Sequence, residues 1–146
     1  MFPLWSSRER AGRQLAVRLR HLKQANPLVL GLPRGGVPVA IEVARALGAD
    51  FDLLLVRKLS APWQPELAMG AVSDGAHPRT VINWRIVDEG HVSEAAIQVA
   101  AAREMAELER RWKLWRTDET HIPIHGRAVI LVDDGVATGA SIRAAL

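Results

Sequence analysis

Apolar positions recur along this chain in two spacings, and segments of one kind alternate with segments of the other. Ala11, Leu15, Leu19 and Leu22 fall on one face of a helix. Ser6 and Glu9 have the form of a capping box, so a helix is predicted from Ser6 to about Ala25. "PLVLGL", Pro27 to Leu32, then reads as a short aliphatic strand ended by "PRGG". Pro38 suits the first turn of a second helix, "PVAIEVARALG", which Gly48 terminates. "FDLLLVRK", Phe51 to Lys58, is apolar nearly throughout and predicts one strand buried on both faces, as parallel strands are.

The pattern loosens from Leu59 to Gly75, where prolines, glycines and mixed polarity predict a long excursion. A hairpin is expected there from "AMGAV" and "TVIN". Ser93 caps a long helix through "EAAIQVAAAREMAELERRWKLW", whose Ala, Leu and Trp positions face a core and whose charges face water. "THIPIHG" is a linker, and "RAVILVDD" is the next buried strand. Strands separated by helices imply an α/β fold: an open, mostly parallel sheet with helices on both faces. In such sheets the ligand lies beyond the carboxyl ends of the strands, where the winding reverses. Both unusual loops of this sequence leave from that end.

Length narrows the picture further, since 146 residues suffice for one domain with its own core. The expectation is a single domain over 1–146. There is no cysteine, hence no disulfide and no thiolate nucleophile or metal ligand. No stretch approaches the roughly 18 apolar residues of a membrane span, and "MFPLWSSRER" is too short in apolar residues for a signal peptide, so a cytoplasmic location and no membrane partner are expected. The formal charge of +3 arises from 19 basic and 16 acidic residues, with the bases scattered among acids as on solvated helix faces. That balance fits a small anionic ligand better than nucleic acid.

Two segments carry chemistry. In "VDDGVATGAS", Gly135 and Gly139 permit tight turns, and Thr138 and Ser141 bring hydroxyls to the start of a helix. Free N–H groups at a helix start attract an anion, and small side chains let it approach. No Gly-Lys-Ser/Thr follows, so the loop is not a Walker A loop. Asp133 and Asp134 would repel a phosphate in direct contact, so they serve something attached to it. Neighbouring sugar hydroxyls, which donate hydrogen bonds to carboxylates, answer that need. "GLPRGGVPVA" repeats the device: Arg34 supplies charge, Gly35 and Gly36 let the backbone reach a ligand, and the Pro38 helix points its positive end there.

These residues carry a family resemblance. "VILVDDGVATGAS", constrained at thirteen positions, resembles the signature with which type I phosphoribosyltransferases bind 5-phosphoribosyl 1-diphosphate (PRPP). "LPRGG" is similar to the family's pyrophosphate loop, and "VRKLSAP" resembles the stretch leading into its mobile loop. With "PELAMGAV", the whole looks closest to a bacterial phosphoribosyltransferase-like group without an assigned base. The resemblance runs from about Ser6 to the end.

It implies that Asp133 and Asp134 hold the ribose 2' and 3' hydroxyls, directly or through a magnesium shell. Ala137, Thr138, Gly139, Ala140 and Ser141 would wrap the 5-phosphate, Arg34 and Gly35 meet the diphosphate, and Lys58, less strongly Arg57, neutralise it. Mg2+ is the implied cofactor, bound through PRPP rather than by a ligand set of the chain. A non-proline cis peptide is implied at Pro33-Arg34, and "LSAPWQPELAMG" is the segment available as a lid. The implied reaction moves the phosphoribosyl group to an unidentified nitrogenous acceptor with release of pyrophosphate. The alternative is a non-catalytic module of the same fold that senses PRPP or a nucleotide. Some relatives place an acid where this chain has Ala137, so a base would come from elsewhere, with Glu66 the candidate. "GASIRAAL" only begins a helix, and family members continue with at least one more strand. The expectation is therefore a type I fold lacking its last strand or strands, incomplete at its C-terminus, and a homodimer or swapped assembly covering the "VILVDD" edge.

Other candidates resolve blandly. In "HIPIH" the intervening Pro123 argues against a helical metal face, and no third ligand accompanies the histidines. Trp112 and Trp115 sit at helical spacing as core or interface anchors. Asp88 and Glu89 precede a loop glycine and are solvated. "LVDD" also resembles receiver domains, but those carry their acids early in the chain, whereas these arrive late and precede Thr-Gly.

Overall fold

A computed structural model of the chain describes residues 6–75, 77–115, 120–135, 142, 143 and 146. They divide into two compact units: residues up to Leu54 together with those from Ile122 to Val136, and Leu55–His121 together with the residues from Ala137 onward. The fold is α/β with a parallel sheet, as the alternating pattern predicts.

In the first unit, α1 spans Arg8–Arg18 and continues into a 3-10 helix, Arg20–Ala25. The cap is Ser7 rather than Ser6. Its Oγ accepts from Arg10 N at 3.2 Å, so the first turn is closed one residue later than the sequence suggests. The helix also tightens after Arg18, and Asn26 ends it with a left-handed backbone, φ 48°. β1 (Leu28–Gly31), α2 (Gly36–Leu47) and β2 (Asp50–Leu53) form a β-α-β unit, with Gly48 closing α2 at φ 61°. β6 (Val129–Val132) joins the other side of β1, giving the all-parallel order β2-β1-β6. Arg127 fixes the starts of these strands, donating from Nη2 to Asn26 O at 3.2 Å and pairing with Asp50 at 3.0 Å.

The apolar face of α2 (Val39, Ala40, Val43, Ala44, Leu47) packs with Val29, Val132, Phe51 and Ile130 of the strands and with Ala16, Leu15 and Leu19 from the α1 side. β1 is buried at every position, as a central parallel strand must be.

The predicted strand "FDLLLVRK" is two strands in two sheets. Asp52, the second residue of that segment, is 4% exposed. Its Oδ1 accepts from Leu53 N at 2.8 Å and its Oδ2 from Ile122 N at 2.9 Å. A buried carboxylate needs such donors, and satisfying them ends β2 at Leu53.

The second unit begins there. β3 (Val56–Ala61), β4 (Gln64–Ser73) and β5 (Arg79–Ile82) form an antiparallel sheet in that order. The Leu59–Gly75 stretch, expected as an excursion, is mostly ladder: β3 and β4 pair from Val56↔Ser73 to Ala61↔Gln64, with a register irregularity around Ser60. The expected hairpin is present, with Ala71 opposite Val81. Trp63, at the β3–β4 turn, packs against Gly90 at the end of α3 (Trp84–Glu89).

Ser93 caps α4 (Glu94–Trp115) as predicted, its Oγ accepting from Ala96 N at 3.1 Å. Ile97, Ala101, Met105, Leu108 and Trp112, spaced three and four apart, pack against Leu55, Leu59, Met69 and Val72. The opposite face is charged, and Arg110 and Arg111 pull the Glu107 carboxyl down to about 2. Trp112 stacks on His121 with ring centroids 3.9 Å apart, whereas Trp115 is exposed. Among the described residues, no helix is long and apolar enough to cross a membrane.

Candidate functional site

Within the parallel sheet the chain goes from β1 to β2 on one side and returns with β6 on the other. The winding therefore reverses between β1 and β6, and the carboxyl ends of those two strands are where an α/β sheet opens a crevice for a ligand. Gly31 is in register with Val132, and Leu32 N donates to Val132 O at 2.9 Å, so the strands end in step. Beyond β1 the chain continues as Pro33-Arg34-Gly35, and beyond β6 as Asp133-Asp134.

The peptide between Pro33 and Arg34 is cis, as the resemblance implies. Gly36 N donates to Leu32 O at 3.0 Å and Val37 N to Arg34 O at 3.3 Å, which folds the loop onto the start of α2. Gly35 is the N-cap of that helix, and Arg34 is exposed beside it. Both glycines lie at close approaches, Gly35 to a side chain and Gly36 to backbone. A Cβ at Gly35 would fall inside the Asp134 carboxylate, and one at Gly36 would lie 2.6 Å from Val132 O and 2.9 Å from Asp133 Cα.

The acid pair is internally linked, since Asp134 N donates to Asp133 Oδ1 at 2.8 Å. Burial pushes the Asp133 carboxyl above its ordinary value; the Asp134 amide opposes this and the neighbouring Asp134 charge adds to it. Asp134 stands further out and accepts from Arg8 at one oxygen, Oδ2, from Nε at 3.2 Å and Nη2 at 2.9 Å.

Four of the expected residues, Arg34, Gly35, Asp133 and Asp134, thus meet at one end of the parallel sheet. Ala137, Thr138, Gly139, Ala140 and Ser141 lie outside the described residues. Lys58 and Glu66 belong to the antiparallel sheet, Lys58 exposed on β3 opposite Ala71 and Glu66 exposed on β4. Arg57 is engaged there by Glu104 of α4, Nε to Oε2 at 2.8 Å. Arg8 is the residue that sequence reasoning missed. It sits in an Arg- and Glu-rich segment that reads as a solvated helix face, and its partner lies 126 positions away.

An open parallel sheet with an acid pair and a glycine loop at its switch point is the architecture of the phosphoribosyltransferase class. The chain belongs to that family: the phosphoribosyl transferase domain model matches residues 5–146. It is 48% identical over 143 residues to proteins named "Putative phosphoribosyl transferase" from two strains of Mycobacterium tuberculosis, CDC 1551 / Oshkosh and ATCC 25618 / H37Rv. Each match covers 97% of this chain and 32% of the relative, so the chain spans about a third of their length. The crystal structure of TT1426 from Thermus thermophilus matches with a TM-score of 0.80 and 44% identity, over 97% of this chain and 66% of that one.

Proposed function

We propose that the chain binds PRPP and transfers its phosphoribosyl group to a nitrogenous acceptor, releasing pyrophosphate. The observation that carries this reading is the meeting of the acid pair with the Arg34-Gly35 loop at the in-step ends of β1 and β6. Each carboxylate has one oxygen held within the protein and, among the described residues, one oxygen with no hydrogen-bond partner: Asp133 Oδ2 and Asp134 Oδ1. Two acceptor oxygens on consecutive residues match in number and chemistry the two hydroxyls of a ribose diol. Arg34 and the backbone at Gly35 are the neighbours that a diphosphate on the same sugar would need.

In the proposed reaction the anomeric C–O bond to the diphosphate breaks, a C–N bond to the acceptor forms, and the acceptor nitrogen loses its proton. The protein's share is orientation of the sugar and stabilisation of charge as the diphosphate departs. Lys58 is the proposed additional cation for the diphosphate, and Glu66 the proposed base for the proton. Ala137, Thr138, Gly139, Ala140 and Ser141 are the proposed cradle for the 5-phosphate.

Two hard carboxylate donors suit magnesium, which keeps water and ligand oxygens in most of its shell. Among the described residues, no group of three His, Cys, Asp or Glu could hold a metal ion, so Asp133 and Asp134 would share it with the ligand. When bound, the ion would neutralise charge on the leaving diphosphate.

Pyrophosphate release from PRPP, assayed with magnesium and a panel of nitrogenous bases, tests the proposal. Release that depends on one base supports transfer. PRPP binding without release in the presence of any base would replace transfer by the sensing alternative.

A further inference from the structure

We propose that Arg8 is a positioning residue of the ligand site: by occupying one oxygen of Asp134 it turns the other toward the sugar. The inference rests on the reading of Asp133 and Asp134 as the groups that hold a diol. Both Arg8 donors converge on Oδ2 of Asp134, at 3.2 and 2.9 Å. A guanidinium set side-on to one oxygen leaves the opposite oxygen, Oδ1, at the far edge of the carboxylate. The Gly35 backbone lies against the same carboxylate, so the group is confined from two sides. The hydrogen bond from Asp134 N holds Asp133 through Oδ1 in the same way, which makes Arg8 the counterpart for the second acid of a contact that the backbone supplies to the first.

The position of Arg8 argues against a role in its own helix. It is the first residue of α1, where the helix dipole disfavours a cation, and that turn has its own acid in Glu9. The other ion pairs of this face run between neighbouring helical positions or across the α1–α2 contact, as Arg45–Glu42 and Arg13–Glu42 do. Arg8 instead reaches the end of β6. Its side chain is 59% exposed and that of Asp134 37%, so the pair contributes little to stability and its loss leaves the fold intact.

The test is a binding cycle with ribose 5-phosphate and inorganic phosphate on the full chain and its Arg8→Gln, Arg8→Lys, Asp134→Asn and Arg8→Gln/Asp134→Asn variants. Asparagine keeps a carbonyl oxygen, so binding stays measurable in the Asp134→Asn background. Arg8→Gln is expected to weaken ribose 5-phosphate about three- to fivefold while phosphate affinity and Tm are unchanged. Arg8→Lys should restore most of the loss, and Arg8→Gln should cost nothing further once Asp134 is Asn. If the unmodified chain binds ribose 5-phosphate no better than phosphate, the diol reading falls and this inference with it. If it discriminates, but Arg8→Gln weakens both ligands alike, weakens neither, or adds its loss in full to that of Asp134→Asn, the inference alone is overturned.

Discussion

The amide of Leu32 donates to the carbonyl of Val132 at 2.9 Å, one residue past the end of β1 and on the last residue of β6. That bond brings the two strand ends level and sets the Pro33–Gly36 loop against Asp133 and Asp134. The space between them is a glycine's width.

Alanine at Gly36 and at Gly35 should therefore fail in different ways. At Gly36 the new methyl meets backbone, Val132 O and Asp133 Cα, which cannot swing aside. The gain from alanine in a helix, about 1 kcal/mol, is outweighed by overpacking, and Gly36→Ala should destabilise by about 1–3 kcal/mol in denaturant titrations. At Gly35 it meets the end of the Asp134 side chain. The carboxylate can rotate away, so Gly35→Ala should change stability by less than about 1 kcal/mol yet weaken ribose 5-phosphate about tenfold.

The burial of Asp133 gives a pH signature. A carboxyl whose folded pKa is raised favours the folded state fully below its unfolded pKa, about 4, and loses that contribution as pH rises through the folded value. Asp133→Asn keeps an oxygen for Asp134 N and removes the charge. In metal-free buffer its Tm should exceed that of the unmodified chain at neutral pH, and the two should converge below about pH 4. A constant difference across that range would show that Asp133 is not perturbed.

Arg57 and Lys58 are adjacent in sequence but should separate in function. Arg57 is paired with Glu104, so Arg57→Ala should register in thermal unfolding, by about 1 kcal/mol, with little change in diphosphate affinity. Lys58 is exposed on β3, and Lys58→Ala should show the reverse in titrations with inorganic diphosphate.

The α4 stripe offers an internal control. Leu108 is 2% exposed and packs into the core of the antiparallel unit, whereas Leu114 is 68% exposed. Leu108→Ala should cost about 2–5 kcal/mol. Leu114→Ala should stay within about 0.5 kcal/mol of the parent by the same denaturant measurement.

Much of this was legible because it depends on local patterns. Aliphatic runs ending in "PRGG" and "DD" locate the ends of β1 and β6, and Gly48 and Ser93 act at the helix boundaries where the sequence puts them. What escaped depends on partners distant in sequence. Asp52 looks like one polar residue in an apolar strand until Ile122 N arrives to bond it, and that bond helps to divide "FDLLLVRK" between two sheets. The Leu59–Gly75 stretch has the composition of a loop, but the antiparallel ladder to β3 and β5 satisfies its backbone and tolerates its prolines near the turn. Arg8 shares its neighbourhood with several arginines, and no spacing rule distinguishes the one that meets Asp134.

The most direct measurement is calorimetric titration of the chain and its Asp133→Asn/Asp134→Asn variant with PRPP and with inorganic phosphate. If the acids hold the ribose diol, the double variant loses PRPP affinity by about a hundredfold while phosphate affinity holds or improves. Equal losses for the two ligands, or none for PRPP, would contradict the account.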